Sequence, residues 1–492
     1  MTSETPTPAP AAPSTPPVPE VPAKPEEAPI QTQHEITLGE RRLAYTVNTG
    51  MMPLKNAKGE IEARIFYIAY TLDLPQPDPL RPLTFVFNGG PGSASLWLHL
   101  GALGPYRVKM QDEGWMPAPP YQLVPNEHTW LEMTDLVFID PVGTGYSRAE
   151  KPELTKKFWS VKGDLESVGE FIRLYLTRSK RWTSPLFLAG ESYGTTRAAG
   201  LSGLLVDKGI AFNGLFLIST TMHFQTLDFD AGNDLPYALF LPTYTSTAWY
   251  HGRLPADLQA RPLADVLAEV EAWAETDYML ALMKGSRLSD EARAAIVERL
   301  ARYTGLEARF IEGSNLGINI FFFCKELLRD QRRTVGRLDS RFKGFEAISV
   351  REMPEFDPSM HAILPPYTSM INQYVRGTLG YETDVEYQPL SMEVNQGWEW
   401  EAGKYTDTSE SLRSAFAKNP FMHIFVAMGY YDLATPHFAT LYTLAHMPID
   451  REQRDQIHTA YYEAGHMFYL DVNALAKLKA DAQTFLDAAL RR

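Results

Sequence analysis

Leu186-Phe187-Leu188-Ala189-Gly190-Glu191-Ser192-Tyr193-Gly194 decides how this chain is read. A short apolar run enters two glycines that bracket a serine, and a helical pattern from Thr195 to Lys208 follows at once. The glycines let the backbone turn tightly from strand to helix, which leaves the Ser192 hydroxyl exposed at the strand's C-terminal end, where a nucleophile would stand. An ordinary Gly-rich turn shows the same five residues, so the surrounding pattern has to decide between the two.

Outward from that stretch, Arg64 to Leu72, Leu83 to Phe87, Leu136 to Ile139, Leu215 to Ile218 and His423 to Ala427 read as further strands. Several are short and continuously apolar, as strands buried on both faces are, and helical patterns such as Phe158 to Arg178 lie between them. The implied fold class is α/β, with a mostly parallel central sheet and helices on both faces. Between about His223 and Leu390 amphipathic helices replace the alternation, as in Leu263 to Leu282 and a segment capped by Ser289 and stopped at Gly305. A helix at Phe438 to His446, a strand at Ile457 to Tyr462 and a last helix from Asp471 to Leu490 then restore the alternation of strand and helix. The expected plan is a first part of the core over residues 31–222, a mainly helical lid inserted over 223–390, and the second part of the core over 391–492. Residues 1–30 hold ten of the 36 prolines and almost no large apolar side chains, which predicts a disordered tail acting as a spacer or a Pro-rich partner motif.

A chain of 492 residues that is 45% hydrophobic can bury a large core. Its formal charge of -14 argues against a general grip on nucleic acid or on an anionic membrane surface. No run approaches the roughly 18 apolar residues of a membrane span. Cys324 is the only cysteine, so neither an intrachain disulfide nor a thiolate metal cluster can form. The first lysine is Lys24 and no apolar signal core precedes it, so a cytoplasmic location is expected, an extracytoplasmic one staying open. The oligomeric state is open too, a homodimer being one option.

A serine hydroxyl needs a histidine to take its proton and an acid to orient that histidine. Asp432 follows the His423 strand and the break Gly429-Tyr430-Tyr431, where a carboxylate would face the same rim; a turn-forming Asp before Pro436 is the plain alternative. His466, in Glu463-Ala464-Gly465-His466-Met467, follows the Ile457 strand at a similar loop. Its rivals are His437, which opens a helix, and His423 and His458, which fall within strands. After the Leu83 strand comes Asn88-Gly89-Gly90-Pro91-Gly92-Ser93. Its glycines would let the Gly90 N–H join the Tyr193 N–H as the two donors that a tetrahedral oxyanion needs. A phosphate loop is the rival reading, but neither the following Gly-Lys-[Ser/Thr] nor the G-x-G-x-x-G spacing is present. Asp140-Pro141-Val142-Gly143-Thr144-Gly145-Tyr146-Ser147 lacks the lysine as well and reads as a shaped loop beside the site.

Taken together, these landmarks, with Leu103-Gly104-Pro105 and Thr435-Pro436, resemble the serine carboxypeptidase family in order from about residue 80 to 470. The resemblance implies an α/β-hydrolase fold with a lid, a Ser192-Asp432-His466 triad, no metal or cofactor, and removal of C-terminal residues from peptides, usually best at acidic pH. It also implies that Asn88, Gly89 and Glu191 bind the substrate's free carboxylate, Glu191 with a raised pKa; a Glu that merely braces the elbow is the alternative. The family usually carries a second acid immediately before Leu-Gly-Pro, where this chain has Ala102, which puts the acidic optimum in question. The expected function is therefore a serine carboxypeptidase acting on peptides with a free C-terminus. An acyltransferase or esterase using the same triad, and a noncatalytic binding protein on this fold, are the other readings.

Overall fold

A computed structural model describes residues 28–76 and 78–491. Nine strands follow one another across its main sheet: β1 (Ile30–Leu38), β2 (Arg41–Lys55), β3 (Ile61–Leu72), β4 (Leu83–Phe87), β5 (Asp135–Ile139), β6 (Leu186–Ser192), β7 (Gly214–Thr220), β8 (His423–Gly429) and β9 (Ile457–Tyr462). Their spatial order is β1-β2-β3-β5-β4-β6-β7-β8-β9, with the two-residue strand Arg148–Ala149 pairing on β3. The first three strands pair antiparallel, and β5-β4-β6-β7-β8-β9 run parallel. The inner parallel strands are continuously apolar because both their faces are covered. Val86, Phe138, Ala189, Phe216 and Phe425 point into one core, while Phe85, Phe87, Val137, Leu188, Leu215 and Val426 point into another.

On the second face lie α1 (Val161–Ser179) and α2 (Tyr193–Val206), which contribute Val168, Phe171, Ala198 and Leu201 to its core. The segment between β7 and β8 carries α3 (Leu235–Tyr250), α4 (Leu263–Trp273), α5 (Asp290–Thr304) and α6 (Pro358–Gln373). Most of it packs into a separate core with Leu239, Tyr244, Val266, Leu300 and Phe323, which Leu433, Phe438 and Ala439 from beyond β8 join, and α6 instead packs Ile363 and Ile371 onto the first face of the sheet. The chain ends in α7 (His437–His446) and α8 (Val472–Ala489), whose Leu475, Leu478 and Phe485 also cover that first face.

The expected boundaries change in a few places. β1 starts at Ile30, the last residue of the expected Pro-rich tail, whose residues 1–27 lie outside the described part of the chain. The helix expected over Phe158 to Arg178 breaks after Phe158, and Ser160 caps α1 by accepting the Gly163 N–H. The Leu263 to Leu282 helix passes through a wider turn at Ala274–Tyr278. Ser289 and Gly305 bound α5 as their residue types require, the serine accepting from Ala292 N–H and the glycine adopting φ +70°. The inserted segment is not wholly helical, since Arg333–Val335 and Lys343–Phe345 form a small hairpin. Among the described residues, no helix is long and apolar enough to cross a membrane.

Candidate active site

Four loops at the C-terminal ends of β4, β6, β8 and β9 bring the candidate residues to one rim of the sheet, the place where parallel α/β sheets bind ligands. Ser192 closes β6 at φ +58° and ψ -132°, a region costly for a residue with a side chain. Strain of about 1–3 kcal/mol at such a turn persists only where its surroundings enforce it. Those surroundings are the flanking glycines. A Cβ on Gly190 would stand 2.2 Å from the Gly194 carbonyl oxygen, and one on Gly194 would stand 2.9 Å from the Phe87 carbonyl oxygen. The β6–α2 turn therefore closes on itself and against the end of β4.

The same crowding places the glycine loop. A Cβ on Gly89 would fall 2.4 Å from the Tyr193 nitrogen, so Gly89 lies directly on the first turn of α2. Gly90, at φ +103°, follows it. The loop is tied down from beneath by Arg197 of α2, whose Nη1–H donates to the Asn88 carbonyl at 2.6 Å while its Nε–H donates to Asp164 of α1 at 2.8 Å. The Arg197–Asp164 pair is almost wholly buried, at 1% and 2% side-chain exposure. From the other side, Asp140 accepts the Ser95 N–H and hydroxyl at 2.8 Å each, so the Asp140–Ser147 loop braces the glycine loop. Burial pushes the Asp140 carboxyl up to about 6.

Asp432 is fully buried in the turn after β8. Its Oδ1 accepts the backbone N–H groups of Ala434 and Thr435 at 2.8 and 2.9 Å, and its Oδ2 accepts the Thr435 hydroxyl at 2.7 Å. His466 Nδ1 meets that same Oδ2 at 2.8 Å. Burial alone would pull the imidazole's pKa down, but the Asp432 charge and hydrogen bond outweigh it and hold His466 above its ordinary value. The rival histidines stand elsewhere: His437 opens α7 and meets Glu271, while His423 and His458 sit in β8 and β9, stacked on each other.

The His466 loop has supports with no local signature in the sequence. At a bulge in β7, Ser219 takes φ +51°, and its hydroxyl donates to the His466 carbonyl at 2.6 Å. The His466 N–H donates to the Leu338 carbonyl at 2.6 Å, and the Gly465 N–H donates to Asp339 Oδ2 at 3.1 Å. Arg341 donates to Asp339 and to the Glu463 carbonyl. Leu338, Asp339 and Arg341 all belong to the segment between β7 and β8.

Beside Ser192, Glu191 is 3% exposed. Asn88 Nδ2 donates to its Oε2 at 2.9 Å, and the Tyr469 hydroxyl donates to the same oxygen at 2.6 Å. The Asn88 amide is oriented by the Leu98 N–H, which donates to Asn88 Oδ1 at 3.1 Å. Burial pushes the Glu191 carboxyl up to about 7, against the opposing pull of His466, Tyr469 and Asn88. Ala102, at the position of the second acid, is fully buried and apolar. Tyr469 has no signature in the sequence beyond its place three residues after His466.

A doubly covered, mostly parallel sheet with a serine elbow after β6, an acid after β8 and a histidine after β9 defines an α/β hydrolase. KEX1(Δ)P, a prohormone-processing carboxypeptidase from Saccharomyces cerevisiae, shares the fold with a TM-score of 0.57 at 16% sequence identity, over 90% of this chain and 91% of that one. Residues 43–476 match the serine carboxypeptidase family, and the chain belongs to it. The pheromone-processing carboxypeptidase KEX1 of Yarrowia lipolytica is 31% identical over 144 residues, 26% of this chain and 22% of that protein. The serine-type carboxypeptidase F of Aspergillus niger is 25% identical over 171 residues, 32% of this chain and 27% of its own length. This chain thus spans about a quarter of these curated relatives.

Proposed function

We propose that the chain is a peptidase that removes C-terminal residues from peptides through an acyl-enzyme on Ser192. The observation that carries this reading is the buried Glu191 carboxyl, raised to about 7 immediately beside Ser192, which can stay neutral and donate a hydrogen bond to a free carboxylate. Asn88 and the Gly89 N–H complete that carboxylate site. His466, oriented by Asp432, takes the Ser192 proton as the oxygen attacks the last peptide carbonyl, and the Gly90 and Tyr193 N–H groups receive the oxyanion. The imidazolium then gives its proton to the leaving amine. Water, deprotonated by the same imidazole, hydrolyses the ester and restores Ser192.

A blocked dipeptide and its C-terminally amidated twin, assayed across about pH 4–8 with Ser192→Ala as control, test the reading. Preference for the free acid, lost in the variant, is expected. Equal turnover of both substrates would refute carboxylate recognition. Ala102 favours one second reading, ester hydrolysis or acyl transfer to an alcohol by the same three residues, because the acid pair is incomplete. Products formed only with added alcohol acceptors would establish it.

A further inference from the structure

The two hydrogen bonds to Glu191 converge on a single oxygen. Tyr469 Oη–H and Asn88 Nδ2–H both donate to Oε2, at 2.6 and 2.9 Å, and the Asn88 amide cannot turn its oxygen inward without releasing the Leu98 N–H. An oxygen that already accepts two donors is a poor place for a proton, because an O–H there would face the fixed Asn88 N–H and could use Tyr469 Oη as acceptor only by turning the tyrosine's own hydrogen away from the oxygen it now bonds. In the neutral carboxyl the proton therefore belongs on Oε1. We propose that Tyr469 is a positioning residue for free-carboxylate recognition, fixing the Glu191 proton on Oε1 so that this oxygen donates to the terminal carboxylate of a peptide. The inference rests on the role given to Glu191 under the proposed function and adds to it the residue that sets the direction of the donor.

The Tyr469 ring is itself held in place. Tyr469 sits in the short turn Phe468–Leu470 that continues from the His466 loop. A Cβ on Gly101 would stand 2.7 Å from its ring and 2.8 Å from the Tyr367 hydroxyl, so the absence of a side chain at 101 makes room for both tyrosines. Both rings are almost fully buried. The charged or titratable groups that act on Glu191 are His466 and Asp432 from the loops after β9 and β8, and Tyr469. Tyr367 of α6 feels Glu191 in turn, with Arg107 beyond it. Among these the tyrosine hydroxyl of residue 469 is the one that hydrogen-bonds the carboxyl.

Tyr469→Phe deletes one oxygen and leaves the ring. The readout is the ratio of kcat/KM for the free-acid dipeptide over its amidated twin, followed across pH. With one of two donors to Oε2 gone, the proton is no longer confined to Oε1, and the ratio at its maximum falls about fivefold, the worth of one ordinary hydrogen bond. The alkaline limb of the ratio moves to higher pH, because the tyrosine hydroxyl stabilises the ionised carboxyl and its removal raises the carboxyl's pKa. A purely structural tyrosine would lower the melting temperature and move neither the ratio nor the limb, and that result overturns the inference. A parent enzyme that never prefers the free acid instead refutes the role given to Glu191. A clear preference in the parent that Tyr469→Phe leaves intact counts against Tyr469 alone.

Discussion

Replacing Glu191 by Gln removes a proton from the problem while keeping the shape. The Gln carbonyl can accept from Tyr469 and Asn88 as Oε2 does, and its amide N–H then stands where the carboxyl proton stood. In the parent, burial raises the carboxyl to about 7, so in the role proposed for it Glu191 is expected to be mostly ionised by about pH 8 and then to repel a substrate carboxylate. Free-acid recognition is therefore expected to fall about tenfold between about pH 6 and 8, or ~1.4 kcal/mol. In Glu191→Gln that fall disappears. A second change follows at the acid side. In the proposed mechanism His466 must be neutral to accept the serine proton, so activity is expected to rise as pH climbs through its pKa, which Asp432 and Glu191 both raise. Without the Glu191 charge this limb moves to lower pH, and the active range widens in both directions. The pair also explains why one bell curve cannot assign the groups, since neutral His466 with neutral Glu191 binds as many protons as the inactive ion pair. The assay is kcat/KM for the free-acid dipeptide and its amide from about pH 5 to 9 in both proteins. A tenfold fall that persists in the Gln variant would refute the argument, since the titrating group would then lie elsewhere.

Two further outcomes check other parts of the site. Asp432→Asn, which removes the charge that orients the His466 ring, should lower kcat by about 10⁴-fold with little change in the circular dichroism spectrum. Arg197→Met strands the Asp164 carboxylate in the core and frees the Asn88 carbonyl; urea unfolding should show a loss of about 3–5 kcal/mol, and a loss below about 1 kcal/mol would mean that water relieves the site.

What the sequence made legible was local. The elbow could be read because Gly190 is demanded by a contact with Gly194 only four residues on, although Gly194 itself answers to the distant end of β4, and β4 and β5 could be read because strands covered on both faces are continuous apolar runs. The α5 boundaries were written in Ser289 and Gly305. By contrast β1 and β2 are hard to see in the sequence, because β1 alternates between exposed and buried positions and carries Gln, Thr, His and Glu among its open positions. Ser219, Leu338 and Tyr469 are hidden for another reason. Each matters through a single hydrogen bond to a residue between 128 and 278 positions away, and no periodicity records such a pairing. Ala102 was visible as a departure, but the hydroxyl that meets Glu191 approaches from the far end of the chain.

The backbone clasp between His466 and Leu338 bears on how this protein can be trimmed or rebuilt. A cover that merely sat over a cleft could be shortened or exchanged for a relative's with only substrate choice at stake. Here the stretch from Leu338 to Arg341 is part of the seat of the His466 loop, so engineering of the segment between β7 and β8 has a fixed floor. Grafts that leave those four residues and their hairpin in register are expected to keep the His466 ring on Asp432, and grafts that remove them are expected to loosen it even where the sheet still folds.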